Sequence, residues 1–109
     1  MYSIVATQPG DISILQKKEF KISEILPNQV LIKNHSIGVN FIDIYFRKGL
    51  YPWPQENNLV LGSEGAGIIE AVGSDVVNLR VGDRVAYAQA NNASATHRIL
   101  AGTLGGRVP

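Results

Sequence analysis

A succession of short apolar runs separated by turn residues is the feature that most limits how this chain can fold. Turn-forming residues interrupt these runs, for example at positions 9–11, 27–28 and 81–83. Runs of this length bounded by Pro, Gly, Asn and Asp indicate β-strands joined by tight turns. The predicted strands cover residues 2–7, 12–18, 29–37, 65–72, 83–89 and 96–100. The sequence therefore predicts a mainly β domain.

One helix interrupts this pattern near residues 40–48, and its ends are well marked. Asn40 suits the N-cap position, and Asp43, three residues later, resembles the partner residue of a capping box. Arg47 lies in the last turn, where the helix dipole favours a cation, and Gly49 suits the position that ends a helix. Arg47 is also spaced to form an ion pair with Asp43. These signals agree on one short helix.

The apolar side chains of this helix cover more of its circumference than a surface helix needs. At about 100° per residue they span roughly 200°, whereas one buried stripe requires about 100°. The residues are Phe41, Ile42, Ile44, Tyr45 and Phe46. The excess predicts that the helix is covered on two sides or that part of it lines a cleft.

Composition limits the classes of protein to which the chain can belong. It has 109 residues, the length of one domain or part of one, with a net charge of +1 and no cysteine. Disulfides and cysteine-based zinc sites are therefore excluded. No basic stripe favours a nucleic-acid partner, and there is no signal peptide or membrane-length apolar run. We expect a soluble cytoplasmic protein without nucleic-acid or membrane partners.

Three glycines between Gly62 and Gly67 invite comparison with a phosphate-binding loop. The dinucleotide fingerprint requires G-x-G-x-x-G between a strand and a helix. Here the order is G-x-x-G-x-G, and the β-branched Ile68 follows, which favours a strand. A structural role in close backbone packing is the favoured interpretation. Glu64, within this run, would be costly to bury unpaired, so we expect a cation partner such as Arg84.

The two histidines and the serine of this run do not predict a reactive centre. His35 and His97 lack the close spacing of metal ligands, and a catalytic zinc normally takes three protein ligands. Ser63 lies on no G-x-S-x-G turn, so a nucleophilic serine is not indicated. We expect no metal site.

Asn40, Tyr45 and Tyr51 each allow two interpretations. An amide at a helix start caps the helix, faces a ligand, or does both. Tyr45 and Tyr51 carry an apolar ring with a polar tip, which suits packing at the rim of a core or stacking on a flat ligand. The residues alone favour the structural role and leave the ligand role open.

Three separated motifs resemble the medium-chain dehydrogenase/reductase superfamily. They lie at residues 38–52, 61–67 and 81–87. Within the superfamily they look like the zinc-free NADPH:quinone oxidoreductases, relatives of zeta-crystallin. The resemblance extends over residues 2–89, whereas Asn-Asn-Ala at residues 91–93 departs from the Gly-Ala-Tyr run of that family.

The resemblance implies a GroES-like, partly open β-barrel. Residues 1–109 would be the N-terminal part of a catalytic domain, and the Rossmann cofactor domain that follows in family members is absent from this chain. In the zinc-dependent relatives a histidine ligand stands at the position of Ser63, and a cysteine lies near that of Asn40. Neither residue type is found at these positions, so the resemblance implies no zinc.

The same resemblance implies NADPH as cofactor and a quinone or another small electrophile as substrate. Tyr45 and Tyr51 would be the catalytic residues, stabilising the charge that develops on the quinol oxygen. Asn40, Asp43 and Gln89 would contact the cofactor. The protein would position two flat rings rather than supply a covalent nucleophile.

Two other functions remain open. An enoyl or alkenal reductase of the same superfamily would use the same cofactor on a carbon–carbon double bond. A free-standing GroES-like interaction module would not be an enzyme, and a reading frame that stops at Pro109 would favour it. As an enzyme segment the chain alone is expected to be inactive, and its uncovered apolar surface would favour a homo-oligomer.

Overall fold

The computed structural model describes residues 1–22, 24–53, 58–88, 92–103 and 105–108. Within these residues, two antiparallel sheets accompany one α-helix, α1. The predicted mainly β class is confirmed. In the described residues the sheets stay open rather than closing into a barrel, as expected of a partial GroES-like fold.

The first sheet has three strands in the order β2-β1-β4. β1 spans Tyr2–Ala6, β2 spans Leu15–Glu19 and β4 spans Leu59–Val60. β1 pairs with β2 over its full length and with β4 at its end, in both cases antiparallel. Val5 on β1 is buried, whereas its neighbour Ile4 is exposed, as alternation along a strand requires.

The second sheet has five strands in the order β7-β3-β5-β6-β8, and every neighbouring pair is antiparallel. The strands span Gln29–Ile37 (β3), Gly65–Val72 (β5), Arg84–Tyr87 (β6), His97–Ala101 (β7) and Gly106–Arg107 (β8). The β3–β5 register shifts between Asn34 and Ser36. Such irregularities increase local twist near the point where β3 leads towards the helix.

The core lies on one face of the second sheet. Val30 and Ile32 are fully buried and Lys33 is exposed, as the sequence pattern predicts. The buried cluster consists of Val30, Ile32, Ile69, Leu79, Val85, Tyr87, Ala93 and Leu100. Each aliphatic side chain of this kind stabilises the fold by about 1.5–3 kcal/mol on burial. This core supports the sheet from which α1 departs.

The strand predicted over residues 12–18 is wrong in its first part. Ile12–Ile14 forms a short 3₁₀ helix, and β2 begins only at Leu15. Asp11 caps this turn by accepting the Ser13 N–H at 2.9 Å. The hydrogen bond from the Ser13 hydroxyl lowers the pKa of Asp11, with a further contribution from the backbone N–H. Such local bonds compete with sheet pairing, which explains the difference.

Helix α1 spans Phe41–Lys48 and follows β3 after a short connection. The helix predicted near residues 40–48 is therefore confirmed. No helix in the described ranges has the length and apolar character needed to cross a membrane.

Candidate functional site

The two ends of α1 fix the position of the predicted site residues. Asn40 occupies the N-cap position, and its N–H donates to the Asp43 carboxylate with a nitrogen–oxygen distance of 3.0 Å. Gly49 ends the helix in the left-handed region with φ of 80°. There the N–H groups of Gly49 and Leu50 donate to last-turn carbonyls at 3.0 and 2.9 Å. Both predicted helix ends are confirmed.

Arg47 contacts a neighbouring loop rather than Asp43. Its Nε donates to the Gly10 carbonyl at 3.2 Å, and the Gly10 N–H donates to the Arg47 carbonyl at 2.8 Å. Among the residues that the structure describes, no ion pair joins Arg47 to Asp43. The predicted pair within the helix is wrong, because a tertiary contact takes the guanidinium.

Tyr45 and Tyr51 lie together at the end of α1. Their ring centroids are 5.8 Å apart with an interplanar angle of 82°, and Tyr51 contacts Phe46 in a similar way at 5.5 Å. Edge-to-face pairs of this kind contribute about 0.5–1.5 kcal/mol beyond area burial. Trp53 Nε1 donates to the Phe46 carbonyl, which holds the following loop against the helix. The rings are therefore oriented by one another and by the backbone.

One side of this region is open to solvent. Phe41 is 78% exposed, and Tyr45 and Tyr51 are 40% and 44% exposed. We call Phe41, Ile42, Tyr45, Leu50 and Tyr51 the exposed apolar face. Contiguous exposed apolar surface marks a ligand or interaction site more often than scattered apolar residues do. The wide apolar arc of α1 thus has two sides. One side is half-buried, and no other described residue covers the second side.

A cavity of about 310 Å³ lies beneath α1, between the helix and both sheets. Ile4, Leu15 and Ile37 line it from the sheets, and Asp43 reaches it from the helix. Asp43 is 8% exposed. Because residues two apart differ by about 200° around a helix, Asp43 and Tyr45 lie on opposite sides of α1.

The glycine run allows close approach of backbone rather than phosphate binding at a helix. Gly62 has a φ of 93°, and a Cβ there would lie 3.0 Å from Ser94 Oγ. A Cβ on Gly67 would lie 2.0 Å from the Lys33 carbonyl oxygen. Gly65 begins a strand, so no helix N-terminus follows. The structural interpretation of the run is confirmed.

Glu64, in the same run, is exposed. Its side chain lies over Gly38, where an added Cβ would be 2.0 Å from Glu64 Oε1, and the Gly38 N–H donates to the Glu64 carbonyl at 3.1 Å. A carboxylate in water does not require a cation partner. Glu64 is thus not buried, and its pairing with Arg84 stays a prediction.

The histidines take separate positions. His97 Nε2 lies 3.3 Å from Glu70 Oε2, across the intervening strand β3, and His35 is exposed. Within the described ranges no three His, Cys, Asp or Glu side chains form a group suited to a metal ion. The absence of zinc stays a prediction.

A buried polar cluster lies in the second sheet, and no sequence pattern pointed to it. The Tyr87 hydroxyl donates to Asn34 Oδ1 at 2.8 Å, across 53 residues of sequence. Asn34 Nδ2 donates to the carbonyls of Ala93 and Ala95 at 3.2 and 2.9 Å. The Arg98 guanidinium lies 4.9 Å from the centroid of the Tyr87 ring. Burial raises the pKa of the Tyr87 phenol and lowers the pKa of the Arg98 guanidinium.

Four of the five predicted site residues lie on or beside α1. Asn40 and Asp43 are at its start, and Tyr45 and Tyr51 are at its end. Gln89 lies outside the described residues. The cofactor-binding and catalytic roles of all five stay predictions.

Several known proteins are similar to this chain in both sequence and fold. Residues 26–106 match the family model of the alcohol dehydrogenase GroES-like domain. The chain is 51% identical over 79 residues to a quinone oxidoreductase of Pseudomonas aeruginosa, a match that covers 72% of this chain and 24% of that protein. The structure of Escherichia coli quinone oxidoreductase complexed with NADPH aligns with a TM-score of 0.94 and 37% identity, covering 100% of this chain and 33% of that chain.

A third relative is the 2-haloacrylate reductase of a Burkholderia species, which is 42% identical over 71 residues and matches 62% of this chain and 21% of that protein. The chain thus spans between a fifth and a third of the length of these relatives. The family match includes α1, the glycine run and most of the second sheet. The chain therefore belongs to the alcohol dehydrogenase GroES-like domain family.

Proposed function

We propose that this chain is the N-terminal part of the GroES-like catalytic domain of an NADPH-dependent quinone oxidoreductase, whose Rossmann domain lies in the rest of the protein. The observation that carries the proposal is the oriented pair of tyrosines on the exposed apolar face. The similarity to the P. aeruginosa quinone oxidoreductase supports the reaction. The NADPH complex of the E. coli relative supports the cofactor.

NADPH, when bound, would supply the hydride that reduces a quinone to its quinol, with a proton completing the reduction. Tyr45 and Tyr51 present two partly exposed rings whose edge-to-face contact limits their rotation. An exposed ring offers a stacking surface for a flat substrate, and a phenol O–H donates to an oxygen on which negative charge develops. These two residues therefore have the chemistry to orient a quinone and stabilise its reduced oxygen.

Asn40 and Asp43 would support the site on the cofactor side, and Gln89, outside the described residues, is a further proposed cofactor contact. Asn40 is exposed at the start of α1, where its amide can reach a bound nucleotide. Asp43 is buried on the inner side of the helix and accepts the Asn40 N–H, so it acts by holding Asn40 in place. The proposal includes no zinc.

A matched pair of tyrosine substitutions tests this function in the intact protein. Tyr51 and Tyr2 are both 44% exposed, but Tyr2 lies on β1 and its ring contacts Lys17, whereas the Tyr51 ring contacts α1. We expect Tyr51→Ala to lower kcat/KM for NADPH-dependent quinone reduction by about tenfold or more, because an oxyanion donor is lost. Tyr2→Ala should leave this parameter within about twofold of wild type, as expected for a surface change away from the reacting atoms. An equal effect of both substitutions would contradict the proposal.

Reduction of an activated carbon–carbon double bond is a second candidate, because the chain also resembles a 2-haloacrylate reductase. The exposed apolar face suits any flat electrophile, so it does not by itself select a quinone. Steady-state kinetics of the intact protein with a panel of quinones, enones and 2-haloacrylates would decide. A higher kcat/KM for an alkene than for every quinone tested would replace the first candidate with the second.

A further inference from the structure

Helix α1 is anchored to a different sheet at each end. At its start, β3 of the second sheet leads through Gly38, whose N–H donates to the Glu64 carbonyl at 3.1 Å. At its end, Arg47 and Gly10 exchange the two hydrogen bonds described above, and Gly10 lies in the loop between β1 and β2 of the first sheet. The position of α1 therefore depends on how the two sheets are held relative to each other.

Residues 93–96, which we call the crossing segment, join the two sheets. Towards the first sheet, the Thr96 N–H donates to the Tyr2 carbonyl at 2.8 Å, and Ala95 forms a β-bridge with Ser3. Towards the second sheet, the crossing segment continues directly into β7. One residue of β3 bonds to the crossing segment through both its backbone and its side chain.

That residue is Asn34, on the central part of β3. The Asn34 backbone N–H donates to the Thr96 carbonyl at 2.8 Å, and the Asn34 side-chain Nδ2 donates to the carbonyls of Ala93 and Ala95. Its Oδ1 accepts the hydroxyl of Tyr87, which is only 4% exposed. Both polar atoms of the amide are thus used. A carboxylate of the same shape would lose both donors and face two carbonyl oxygens.

We propose that Asn34 is a positioning residue for the exposed apolar face, although it touches none of the residues of that face. By tying the crossing segment to β3 it fixes one sheet against the other, and the two anchors of α1 then fix the helix. The functional meaning of this role rests on the proposed function, since the helix carries Tyr45. Displacements of about 1 Å in an active site can lower a rate by about a hundredfold.

Hydrogen–deuterium exchange tests the structural part independently of activity. The variants are Asn34→Asp, which keeps the shape and removes the donors, and Leu100→Ala, a control that creates a cavity in the same buried cluster but leaves the Asn34 side chain and its hydrogen bonds in place. At a temperature where both variants are folded by circular dichroism, Asn34→Asp should speed exchange in peptides covering residues 7–10 and 44–50 by about fivefold or more. Leu100→Ala should change these peptides by less than about twofold.

Tyr87→Phe keeps the result decisive if Asn34→Asp does not fold. It removes only the hydroxyl that the Asn34 oxygen accepts, so it should accelerate the same two peptides to a smaller extent. Unchanged exchange in the folded variants, or the same change in Leu100→Ala, would overturn the proposal.

Kinetics of the intact protein separate this inference from the proposed function. Asn34→Asp should lower kcat for quinone reduction about tenfold relative to Leu100→Ala, because the rings of α1 are misplaced. If the wild-type protein reduces no quinone, the proposed function fails while the exchange result stands. If wild type is active and Asn34→Asp matches Leu100→Ala in kcat, the positioning role fails and the proposed function stands.

Discussion

Three glycines with positive φ provide a graded test of how tightly the backbone packs around the site. Gly49, Gly62 and Gly82 have φ values of 80°, 93° and 92°. At Gly82 an added Cβ would have no neighbouring atom within 4 Å. At Gly49 it would lie 2.9 Å from the Pro9 Cβ. At Gly62 it would meet Ser94 Oγ at 3.0 Å and the backbone nitrogen of Ser94 at 3.1 Å. Replacement by alanine thus measures backbone strain alone at Gly82, and strain plus steric contact at the other two positions.

The expected losses follow from these contacts. A left-handed conformation costs a residue with a Cβ about 1–2 kcal/mol. The lower entropy of the unfolded chain offsets about 0.4–1 kcal/mol of this, so Gly82→Ala should lose about 1 kcal/mol of unfolding free energy. Overpacking adds about 1–3 kcal/mol at Gly62, which gives a total loss of about 2–4 kcal/mol. Gly49→Ala should fall between these two, because Pro9 is exposed and can shift.

Urea unfolding followed by far-UV circular dichroism and by the emission of Trp53, the one tryptophan of the chain, measures the series. For a domain of this size a loss of 1 kcal/mol also lowers Tm by about 4 °C. The reasoning would be refuted if Gly62→Ala lost no more stability than Gly82→Ala, because the approach of Ser94 would then impose no constraint on the glycine run.

Four further predictions concern the helix, the buried cluster and the exposed surface. Asp43→Ala should lower the free energy of unfolding by about 1–2 kcal/mol, since the Asn40 N–H loses its acceptor, and Asp43→Glu should recover part of this loss in urea titrations. Because burial raises the pKa of Tyr87, its contribution to stability should be complete below the unfolded pKa of about 10 and be lost as pH rises through the higher folded pKa. Tyr87→Phe should flatten this alkaline decline in thermal melts, and an unchanged slope would contradict the assignment. Phe41→Ser should weaken concentration-dependent self-association in sedimentation experiments. A parent chain that is monomeric at all concentrations would show that the exposed apolar face does not mediate self-association. Fluorescence titration should show no micromolar binding of NADPH by residues 1–109 alone, since the proposed Rossmann domain would supply the main cofactor contacts.

The parts of the fold that follow from neighbouring residues could be predicted from the sequence. Asn40, Asp43 and Gly49 each act within a turn of their own position, so the limits of α1 could be derived from residue types and spacing. The alternation along β3 likewise identified Val30 and Ile32 as core residues. By contrast, β4 and β8 have two residues each, too few to show any periodicity.

The features that the sequence did not reveal depend on contacts between distant residues. The Arg47 guanidinium could reach Asp43 within the helix, but its alternative partner, Gly10, is 37 residues away. The bond between Tyr87 and Asn34 spans 53 residues, and neither residue type signals burial by itself. Glu64 would need a cation partner if it were buried, yet it is exposed beside glycines that bring backbones together. Side-chain partners of this kind require the topology to be known first.

The exposed apolar face lies outside the core, so its side chains contribute little to stability and, on the proposed function, are available for binding. Burying one ring such as that of Phe41 would contribute about 1.5–3 kcal/mol, a large fraction of the stability of a small domain. In the described residues the core instead consists of side chains from the sheets and their connections, while Phe41 stays 78% exposed. When the core is stable without the residues of a binding surface, those residues can be substituted without unfolding the domain. Substitutions on the exposed apolar face should therefore change ligand binding or assembly more than the free energy of unfolding, and those at Ile32 or Leu100 should do the reverse.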